Sequence, residues 1–360
     1  MNYRGIPSFD HGQVSRIGVL LTNLGTPDAP TPQALRPYLK EFLSDPRVVE
    51  FPRLLWWLIL NGIILNTRPR RSAKAYETVW TERGSPLLYH LEDQVAGVSA
   101  QLRAAYGDAI LVRGAMRYGN PSIPNVLSEM LDAGVEKLVV LPLYPHYSGP
   151  TTGSTFDKLS ETLCKQRRVP DLRWIASYHD HPDYIAAIAN SIRSHRARHG
   201  DADKLVFSYH GMPERYLQNG DPYHCQCHKT TRLVAEALEL PQGSYMTTFQ
   251  SRFGREEWLK PYTDETLGGL PEKGVKALQV ICPGFSADCL ETIEEIGEEN
   301  RDIFLEAGGE RYEYIPCLNA QPDHVTLLSD LIAAELKDWT TTGRDSGQTR
   351  LLALAQGADQ

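Results

Sequence analysis

The stretch AGVEKLVVLPLYP at 133–145 returns in altered form as KGVKALQVICPGF at 273–285, and Gly274 follows Gly134 by 140 positions. Each stretch is a run of apolar residues that follows a glycine and ends at turn-forming residues. A continuous apolar run of this length is typical of a strand that is buried on both faces, as in the parallel sheets of α/β proteins. The sequence therefore predicts the same buried strand in two places.

Two further pairs of segments repeat in the same order. RYG at 117–119 matches RFG at 252–254, an offset of 135, and HPDY at 181–184 matches QPDH at 321–324, an offset of 140. Three matches at nearly one offset indicate an ancient duplication. Residues 40–90 have no counterpart in the second copy, so we interpret them as an insertion in the first.

Strand-like segments alternate with helical patterns along the chain. The predicted strands lie at 18–25, 110–119, 137–145, 172–178, 204–211, 245–254, 277–285 and 312–318. Such alternation favours parallel sheets with helices on both faces. We predict an α/β fold of two doubly wound, Rossmann-like domains, each with a four-stranded parallel sheet, and a cleft between them. The first domain is predicted at 1–180 plus a C-terminal helix at 322–338, the second at 181–321, and a flexible tail at 340–360.

The composition argues against several classes of protein. The chain has 360 residues and a formal net charge of −8, whereas a nucleic-acid-binding surface needs positive charge. The polar start MNYRGIPSFDHGQ lacks the apolar segment of a secretory signal, so we expect a cytoplasmic protein whose six cysteines are reduced. Neither G-x-G-x-x-G after a strand nor G-x-x-x-x-G-K-[ST] occurs, which argues against nucleotide binding through either motif.

The longest apolar run, LLWWLILNGIIL, starts at Leu54 and ends at Leu65. Its 12 residues are too few to span a bilayer, which takes about 20. Its two tryptophans and the basic RPRR at 68–71 suit a membrane surface with anionic headgroups. The pattern is also compatible with a helix buried in the core, and both interpretations stay open.

Ligands of open α/β sheets bind beyond the carboxyl ends of the strands. That rule selects a short set of positions: 24–26, 117–118, 144–148, 210, 252 and 285–288. His210 closes the apolar strand in VFSYHGMP, just before Gly211 and Pro213. A neutral imidazole there is suited to accept a proton or bind a metal ion, although a lone histidine is also common as a structural group.

Acidic residues follow the seventh predicted strand, in SADCLETIEEIGEEN at 286–300. We predict a helix capped by Ser286. Glu295 follows Glu291 by four positions, and Glu298 and Glu299 follow it by seven and eight. In a helix these spacings put the four carboxylates on one face. The face is either a solvated outer surface or an acidic track for a divalent cation or for protons. Oxygen ligands together with one imidazole suit ferrous iron.

Aromatic and basic residues accumulate around the predicted cleft. The aromatic side chains suit either the core or the wall of a large, flat ligand: Tyr118, Tyr144, Tyr147, Tyr209, Phe249, Phe253, Trp258 and Phe285. Arg68, Arg70 and Arg71 are suited to pair with carboxylates on such a ligand. A planar ring with peripheral carboxylates, together with a metal ion, describes a porphyrin.

The segment YHCQCHK at 223–229 contains the only closely spaced cysteines, Cys225 and Cys227. The flanking histidines allow a metal or redox role. C-x-C is not the C-x-x-C spacing of zinc sites, however, and no second cysteine pair follows. A structural role and a metal or redox role therefore both stay open.

Seven motifs follow one another between residues 16 and 335: LLTNLGTPD, RGSPLL, AMRYGNPSI, LPLYPHYSGPTTGS, FSYHGMPERYLQNGDPY, FQSRFGREEWLKPYTDETL and CPGFSADCLETIEEI. In these motifs and their order the sequence resembles the ferrochelatases, lyases that insert ferrous iron into a porphyrin at the end of haem synthesis. The resemblance implies two doubly wound domains and insertion of Fe2+ into protoporphyrin or coproporphyrin. The alternatives are a chelatase for another metal or tetrapyrrole, such as cobalt or nickel, and a non-catalytic haem carrier.

The resemblance also implies roles for individual residues. His210 and Glu291 would form the metal site that faces the porphyrin core, with Glu295, Glu298 and Glu299 as an acidic track beyond them. A further set would line the macrocycle pocket: Leu24, Arg68, Tyr76, Ser85, Arg117, Tyr147, Trp258 and Phe285. The apolar run from Leu54 to Leu65 matches the family's apolar lip, which favours a peripheral contact with the inner face of the membrane. Iron enters as a substrate, and no prosthetic group is expected.

The sequence departs from the family in three places. Gly149 stands where many relatives have a cysteine that holds an iron–sulfur cluster, and the tail after Asp338 contains no cysteine, so we expect no [2Fe–2S] cluster. Cys289 stands where some relatives carry a histidine, and YHCQCHK has no counterpart in many of them. A short tail without a cluster is compatible with a monomer. The choice between the two porphyrins, and between proton acceptor and iron ligand for His210, stays open.

Overall fold

Two four-stranded parallel sheets form the frame of the protein. The structure is a computed structural model that describes residues 3–5, 11, 15–254, 256–339 and 346–358. The strands of the first sheet are β1 (Arg16–Thr26), β2 (Ile110–Gly119), β3 (Val135–Pro142) and β4 (Asp171–Trp174). Those of the second are β5 (Lys204–His210), β6 (Tyr245–Gln250), β7 (Ala277–Ile281) and β8 (Arg311–Ile315).

Helices cover the sheets and connect their strands. The first half carries α1 (Pro32–Ser44), α2 (Arg53–Ile59), α3 (Leu65–Val79), α4 (Pro86–Tyr106), α5 (Ile123–Asp132) and α6 (Ser154–Leu163). The second half and the C-terminus carry α7 (Pro182–His199), α8 (Glu214–Gln218), α9 (Tyr223–Ala237), α10 (Thr263–Gly269), α11 (Asn300–Glu306), α12 (Pro322–Leu336) and α13 (Ser346–Ala355). Among the described residues, three segments are π-helical: Leu60–Ile64, Gly149–Gly153 and Glu291–Glu299.

The two sheets have the same topology. Their strand orders are β2-β1-β3-β4 and β6-β5-β7-β8, and every neighbouring pair is parallel. The first strand of each half therefore pairs with the second and third strands of that half. The α/β class, the two four-stranded parallel sheets and the matching of the two copies predicted from the repeat are all confirmed.

The strands read as continuous apolar runs because both of their faces are buried. In β1, Val19 and Leu21 belong to a core cluster that also contains Phe207 of β5. Leu20, which points to the opposite face, packs in a second cluster with Leu138 of β3. Helices on both faces leave no solvent-exposed side to these sheets, so no alternation of polar residues is needed.

The C-terminal helix α12 returns to the first half of the molecule. It packs against α4 and β3 as well as against α7 of the second half. Val325, Leu328 and Ile332 of α12 lie in the same core cluster as Leu91 and Val98 of α4. The helix thus packs on the first half although it follows all eight strands in the chain.

Part of the segment predicted as a flexible tail, 340–360, is helical in the structure. Helix α13 occupies Ser346–Ala355. Residues 340–345, 359 and 360 lie outside the described residues. Leu351 and Leu352 of α13 are exposed.

The apolar run that starts at Leu54 forms an exposed lip on the first half. Leu54, Trp57 and Ile63 keep 78%, 58% and 61% of their surface exposed, whereas Leu60 and Leu65 are buried against α1 and α3. A helix buried in the core, the alternative left open by the sequence, is therefore ruled out for this run. None of the helices in the described part of the chain has both the length and the apolar character needed to cross a membrane.

Replacing Leu328 by alanine should destabilise the fold by about 2–5 kcal/mol, because it removes a fully buried side chain from the core shared by α12 and α4. Urea unfolding followed by circular dichroism measures the change. Asp330→Ala, at an exposed position of the same helix, is the matched control and should stay within about 0.5 kcal/mol of the parent chain. Equal stability of both variants would show that α12 adds nothing to the core.

Candidate active site

A cavity of about 410 Å3 opens between the two halves. This volume lies within the range of about 300–1,000 Å3 that is usual for pockets binding small molecules. The first half contributes residues at the ends of β1 and β3 and from the insertion, including Leu24, Tyr38, Tyr76 and Ser85. The second half contributes residues that follow β5, β6 and β7, including His210, Trp258, Phe285 and Glu291. The carboxyl ends of both sheets therefore meet at one cleft, as predicted.

His210 is the last residue of β5 and lines this cavity. Its ring nitrogen Nδ1 is 2.7 Å from the carbonyl oxygen of Gly211, an atom that only accepts hydrogen bonds. Nδ1 therefore carries the proton in the neutral ring, and Nε2 has the free lone pair. This arrangement presents a basic nitrogen that can accept a proton or bind a metal ion.

The chain turns sharply after His210 because β5 and β6 approach closely at this end. The Gly211 amide donates to the Gln250 carbonyl oxygen at 2.7 Å. A Cβ on residue 211 would lie 2.7 Å from that same oxygen and 3.2 Å from the Trp258 ring. Glycine is thus the residue that lets β5 end against β6 and directs the imidazole into the cleft.

Glu291 begins the π-helical segment Glu291–Glu299 and lines the same cavity as His210. The sequence predicts a helix in this segment, which is confirmed, but the predicted cap at Ser286 is wrong and the helix is π-helical. Ser286 lies before the helix, where its carbonyl oxygen accepts hydrogen bonds from Gln94 Nε2 at 3.1 Å and from the Asn319 amide at 3.0 Å. The π-helix makes i→i+5 hydrogen bonds, such as that from the Asn300 amide to the Glu295 carbonyl.

Glu295 lies behind the two cavity residues and is fastened to the end of β6. Its carboxylate accepts hydrogen bonds from the Ser251 amide at 2.7 Å, from Ser251 Oγ, and from Gln250 Nε2 at 3.4 Å. Burial raises the pKa of Glu295 and the charge of Glu291 adds to this rise, while the Ser251 hydrogen bonds and His210 lower it in part. His210, Glu291 and Glu295 therefore act on one another electrostatically.

Glu294 belongs to this acidic group although the predicted track omits it. Burial, together with the charges of Glu299, Glu295, Glu298 and Glu291, raises its pKa to about 7. Its spacing of three from Glu291 is a helical signal that the sequence offered. Glu298 and Glu299 are exposed, so the acidic residues extend from the cavity to the surface.

The ligand atoms at the cavity are not gathered into a closed metal cage. Among the described residues, no group of three His, Cys, Asp or Glu ligand atoms that includes His210, Glu291 or Glu295 lies within 4.8 Å.

The residues predicted to line a macrocycle pocket divide into two groups. Five of them line the cavity: Leu24, Tyr76, Ser85, Trp258 and Phe285. Arg68 lies against the cavity residue Phe253, with its guanidinium carbon 5.9 Å from the ring centre. Tyr147 and Arg117 are not among the lining residues. Tyr147 is half-buried, and its amide donates to Gln226 Oε1 at 2.7 Å.

Arg117 forms a buried ion pair instead of facing the cavity. Its guanidinium donates to the Asp45 carboxylate and to Ser154 Oγ at 2.7 Å. Burial alone would raise the pKa of Asp45, but hydrogen bonds from Ser154, Arg47 and Tyr118, together with the charge of Arg117, outweigh this effect and lower it. The pair engages Nε and Nη2, while Nη1 has no hydrogen-bond partner among the described residues.

Only part of the predicted aromatic wall faces the cavity. Tyr144, Phe253, Trp258 and Phe285 do so. Tyr118, Tyr209 and Phe249 are buried in the core, as is common for large aromatic side chains at strand ends. The sequence pattern did not separate these two environments.

Of the buried polar residues on the cavity wall, the sequence analysis missed Asn23, whereas His146 and Ser286 lie within the strand-end positions 144–148 and 285–288 that it selected. Asn23 Nδ2, His146 Nδ1 and Ser286 Oγ are buried and, like Trp258 Nε1, have no hydrogen-bond partner among the described residues. Tyr144 Oη is likewise buried without a partner, so several polar groups of lining residues contribute no hydrogen bond to the described fold. For Asn23, its position near the end of β1 was the available signal.

Two salt bridges lie beside the cavity, and one of them connects the two halves. Arg215 of α8 binds Glu50, from the insertion in the first half, and Glu256, from the second half. All three residues line the cavity. The insertion is thereby attached to the opposite half at the entrance to the cleft.

The YHCQCHK segment lies in α9, and its two thiols do not converge. Cys225 is exposed whereas Cys227 is buried. His224 and His228 lie one turn apart, with ring centres separated by 4.5 Å. The exposure of one thiol and the burial of the other favour separate environments for the two cysteines.

The fold and the cleft together define a class of protein. The solved structure of SirB from Bacillus subtilis with Fe3+ aligns with a TM-score of 0.53 and 10% identity over 88% of this chain and 94% of that one. This chain therefore belongs to the class of α/β proteins with two parallel sheets and shares its fold with SirB. The match at this identity concerns the fold alone.

Sequence comparisons identify the family. The family model of ferrochelatase matches residues 16–336. Ferrochelatase of Pseudoalteromonas atlantica is 61% identical over 360 residues, which is 100% of both chains. Ferrochelatase of Idiomarina loihiensis is 63% identical over 340 residues, 94% of this chain and 93% of its own. The chain belongs to the ferrochelatase family, whose members insert iron into a porphyrin in haem biosynthesis.

Replacing Glu294 by glutamine should change how stability depends on pH. Because the pKa of Glu294 rises from 4.5 to about 7 on folding, the folded protein keeps a proton that the unfolded chain releases, and this group weakens the fold as pH rises through that window. The glutamine variant lacks this penalty. Its urea midpoint, compared with that of the parent chain, should gain more at pH 8 than at pH 5.

Glu306→Gln, at an exposed position of α11, is the control for loss of one negative charge. It should shift the urea midpoint by a similar small amount at both pH values. The interpretation of Glu294 fails if its variant behaves in the same way as this control.

Proposed function

We propose that this chain inserts Fe2+ into protoporphyrin or coproporphyrin, with release of two protons, and so acts as a lyase. One observation supports this most directly: His210 and Glu291, from different elements of the second half, line one cavity whose other wall comes from the first half. A site between two rigid sheets is suited to hold a flat ligand by both of its faces.

Metal insertion requires that the porphyrin lose two pyrrole protons and turn its nitrogen lone pairs toward the ion. In a flat ring the pyrrole hydrogens occupy the central hole. A cleft that binds a bent ring more tightly than a flat one stabilises the distorted ring and so lowers the activation barrier to metal insertion. The parallel sheets on either side make the cleft stiff enough for such selection.

His210 is suited to the step at the ring centre. With Nδ1 donating to Gly211, its Nε2 has a free lone pair for a pyrrole proton or for the incoming iron. The carboxylate of Glu291 shares the cavity and is suited to the other of these two tasks. In either assignment the pair gives one base and one ion ligand at the same place.

The acidic residues beyond Glu291 are suited to conduct protons out or iron in. Glu294, with its pKa raised to about 7 by burial and neighbouring carboxylates, exchanges protons readily near neutral pH. Glu295 connects it to the cavity pair, and the exposed Glu298 and Glu299 connect it to solvent. A carrier that only stores haem has no need of such a series.

The carboxylates of the substrate need a positively charged partner at the mouth of the cleft. We propose Arg68 for this contact, because its guanidinium lies against Phe253 while its side chain is exposed. Leu24, Tyr76, Trp258 and Phe285 supply the apolar wall. Arg117 is left out of this proposal because Asp45 already holds it.

The proposal includes no [2Fe–2S] cluster. Gly149 takes the place of the family's upstream cluster cysteine, and its amide donates to Asp221 Oδ2 at 2.8 Å. The loop is therefore held by contacts between protein groups.

We further propose that the lip which starts at Leu54 rests on the inner face of a membrane while the rest of the protein stays in the cytoplasm. Five large apolar side chains of the lip are exposed: Leu54, Leu55, Trp57, Leu58 and Ile63. Arg70 and Arg71 follow directly and are exposed, as contact with anionic headgroups requires. A monomer fits this arrangement because no second copy is needed to complete the cleft.

His210→Ala should slow iron insertion by at least about 100-fold, the usual loss when a base at the reacting atom is removed. The assay is anaerobic incubation with protoporphyrin or coproporphyrin and Fe2+, followed by the change in absorption spectrum. Porphyrin binding, followed by fluorescence, should stay within a few-fold of the parent chain. His228→Ala, an exposed histidine outside the cavity, is the control and should leave the rate unchanged.

Three outcomes of this experiment count against the proposal. A near-normal rate in a folded His210→Ala variant removes His210 from the mechanism. Insertion of Co2+ or Ni2+ without insertion of Fe2+ indicates a chelatase of another specificity. Tight binding of haem with no insertion into free porphyrin indicates a carrier.

The double variant Leu54→Ser, Trp57→Ser should bind vesicles of 30% phosphatidylglycerol at least about 10-fold more weakly, since each buried apolar side chain is worth about 1.5–3 kcal/mol. Sedimentation with vesicles measures the bound fraction. Val169→Ser, an exposed apolar position outside the lip, is the control. Equal binding of all three proteins rules out this lip as the membrane contact.

A further inference from the structure

A second group of metal-ligating side chains lies outside the cleft. His195 and His199 of α7 and Glu313 of β8 each offer a ligand atom, and these atoms lie within 4.8 Å of one another. Among the described residues, this is the one group of three or more such side chains that meets that distance. None of the three lines the cavity between the halves.

The group lies near the edge of the second sheet that is remote from the active site. Helix α7 ends at His199, and the chain then enters β5 at Lys204. The last turn of α7 therefore lies near the amino ends of the strands, whereas His210 marks their carboxyl ends. An ion bound here is separate from iron on its way into a porphyrin.

The two histidines are arranged as neighbouring ligands. Their spacing of four puts them on the same face of α7, with ring centres 4.4 Å apart. His195 Nε2 is 3.3 Å from Glu313 Oε2. Two ligands of a tetrahedral zinc ion with bonds of about 2.1 Å are about 3.4 Å apart, so this pair already has the required separation.

Neighbouring groups hold the carboxylate in the orientation that a metal site needs. Gln279 Nε2 donates to Glu313 Oε2 at 2.8 Å, and Arg311 binds Oε1 at 3.3 Å. Such outer contacts fix a ligand and are usual around protein metal sites. His195 is buried and His199 is exposed, so the site has one rigid side and one side open to solvent.

We propose that His195, His199 and Glu313 form a second divalent-metal site that takes Zn2+. Two imidazole nitrogens and one carboxylate oxygen are a ligand set found for zinc, with water in the fourth position. The ion would join α7 to β8. Because it would bind the folded protein and not the unfolded chain, it would raise the free energy of unfolding of the second half. This inference does not depend on the proposed function, because it concerns no residue of the cleft.

The positive charge of two nearby arginines opposes the binding of a cation at this site. Arg311 neutralises one oxygen of Glu313, and Arg196 lies close by through Gln279 Oε1 at 3.0 Å. If the three residues serve only as a hydrogen-bonded contact between α7 and β8, no ion will bind. Metal binding to the whole protein decides between the two roles.

The experiment is a zinc titration of the full-length, porphyrin-free protein by equilibrium dialysis, together with thermal unfolding with and without Zn2+. The variant His210→Ala, Glu291→Gln removes the ligands in the cleft. It should retain one bound zinc ion and the zinc-dependent rise in melting temperature. Adding His199→Ala to this variant should lower its affinity for zinc at least about 10-fold and abolish the zinc-dependent rise in melting temperature.

His228→Ala, in the same cleft-deficient background, tests the other histidine pair one turn apart, on α9. It should leave the bound ion in place. The proposal is overturned if the cleft-deficient variant binds no zinc, if His199→Ala leaves binding unchanged, or if His228→Ala removes the ion. Because zinc binding is the readout, failure here leaves iron insertion untouched, and failure of iron insertion leaves this site untouched.

Discussion

The buried amide of Gln250 joins the strand that ends at His210 to the helix that begins at Glu291. Its Oε1 accepts from Ser208 Oγ of β5 at 2.7 Å, while its Nε2 donates to the Glu291 carbonyl oxygen at 3.0 Å. A buried amide is costly to leave unsatisfied, so these contacts hold the two elements at a fixed separation. The relative position of imidazole and carboxylate is thus set by neutral groups of the core before any substrate arrives, which is the meaning of preorganisation.

The architecture could be predicted from the sequence because parallel strands buried on both faces leave continuous apolar runs. The runs around Leu138 and Leu278 are the clearest cases, and each occupies the third strand of its half. The repeat then required that both halves share one topology. The position of His210 at a strand end followed from the same pattern, since Gly211 and Pro213 close that strand.

The type and the starting residue of the acidic helix could not be predicted from the sequence pattern. Glutamates spaced by four residues suit an α-helix as well as a π-helix, and the choice depends on which carbonyl each amide reaches. Ser286 resembled a helix cap, but Gln94 and Asn319 fix it from distant parts of the chain. The ion pair of Arg117 was unpredictable for the same reason: its partner, Asp45, comes from the insertion, and no local signal pairs them.

The return of α12 to the first half has a consequence for how the protein is made. The first sheet is complete once β4 has been synthesised, yet the helix that covers part of it, with Val325 and Leu328, follows the whole second half. Apolar surface on α4 therefore stays uncovered while the ribosome makes the intervening residues. The amino-terminal half of a growing chain therefore exposes apolar surface, and its final packing must wait until α12 emerges from the ribosome.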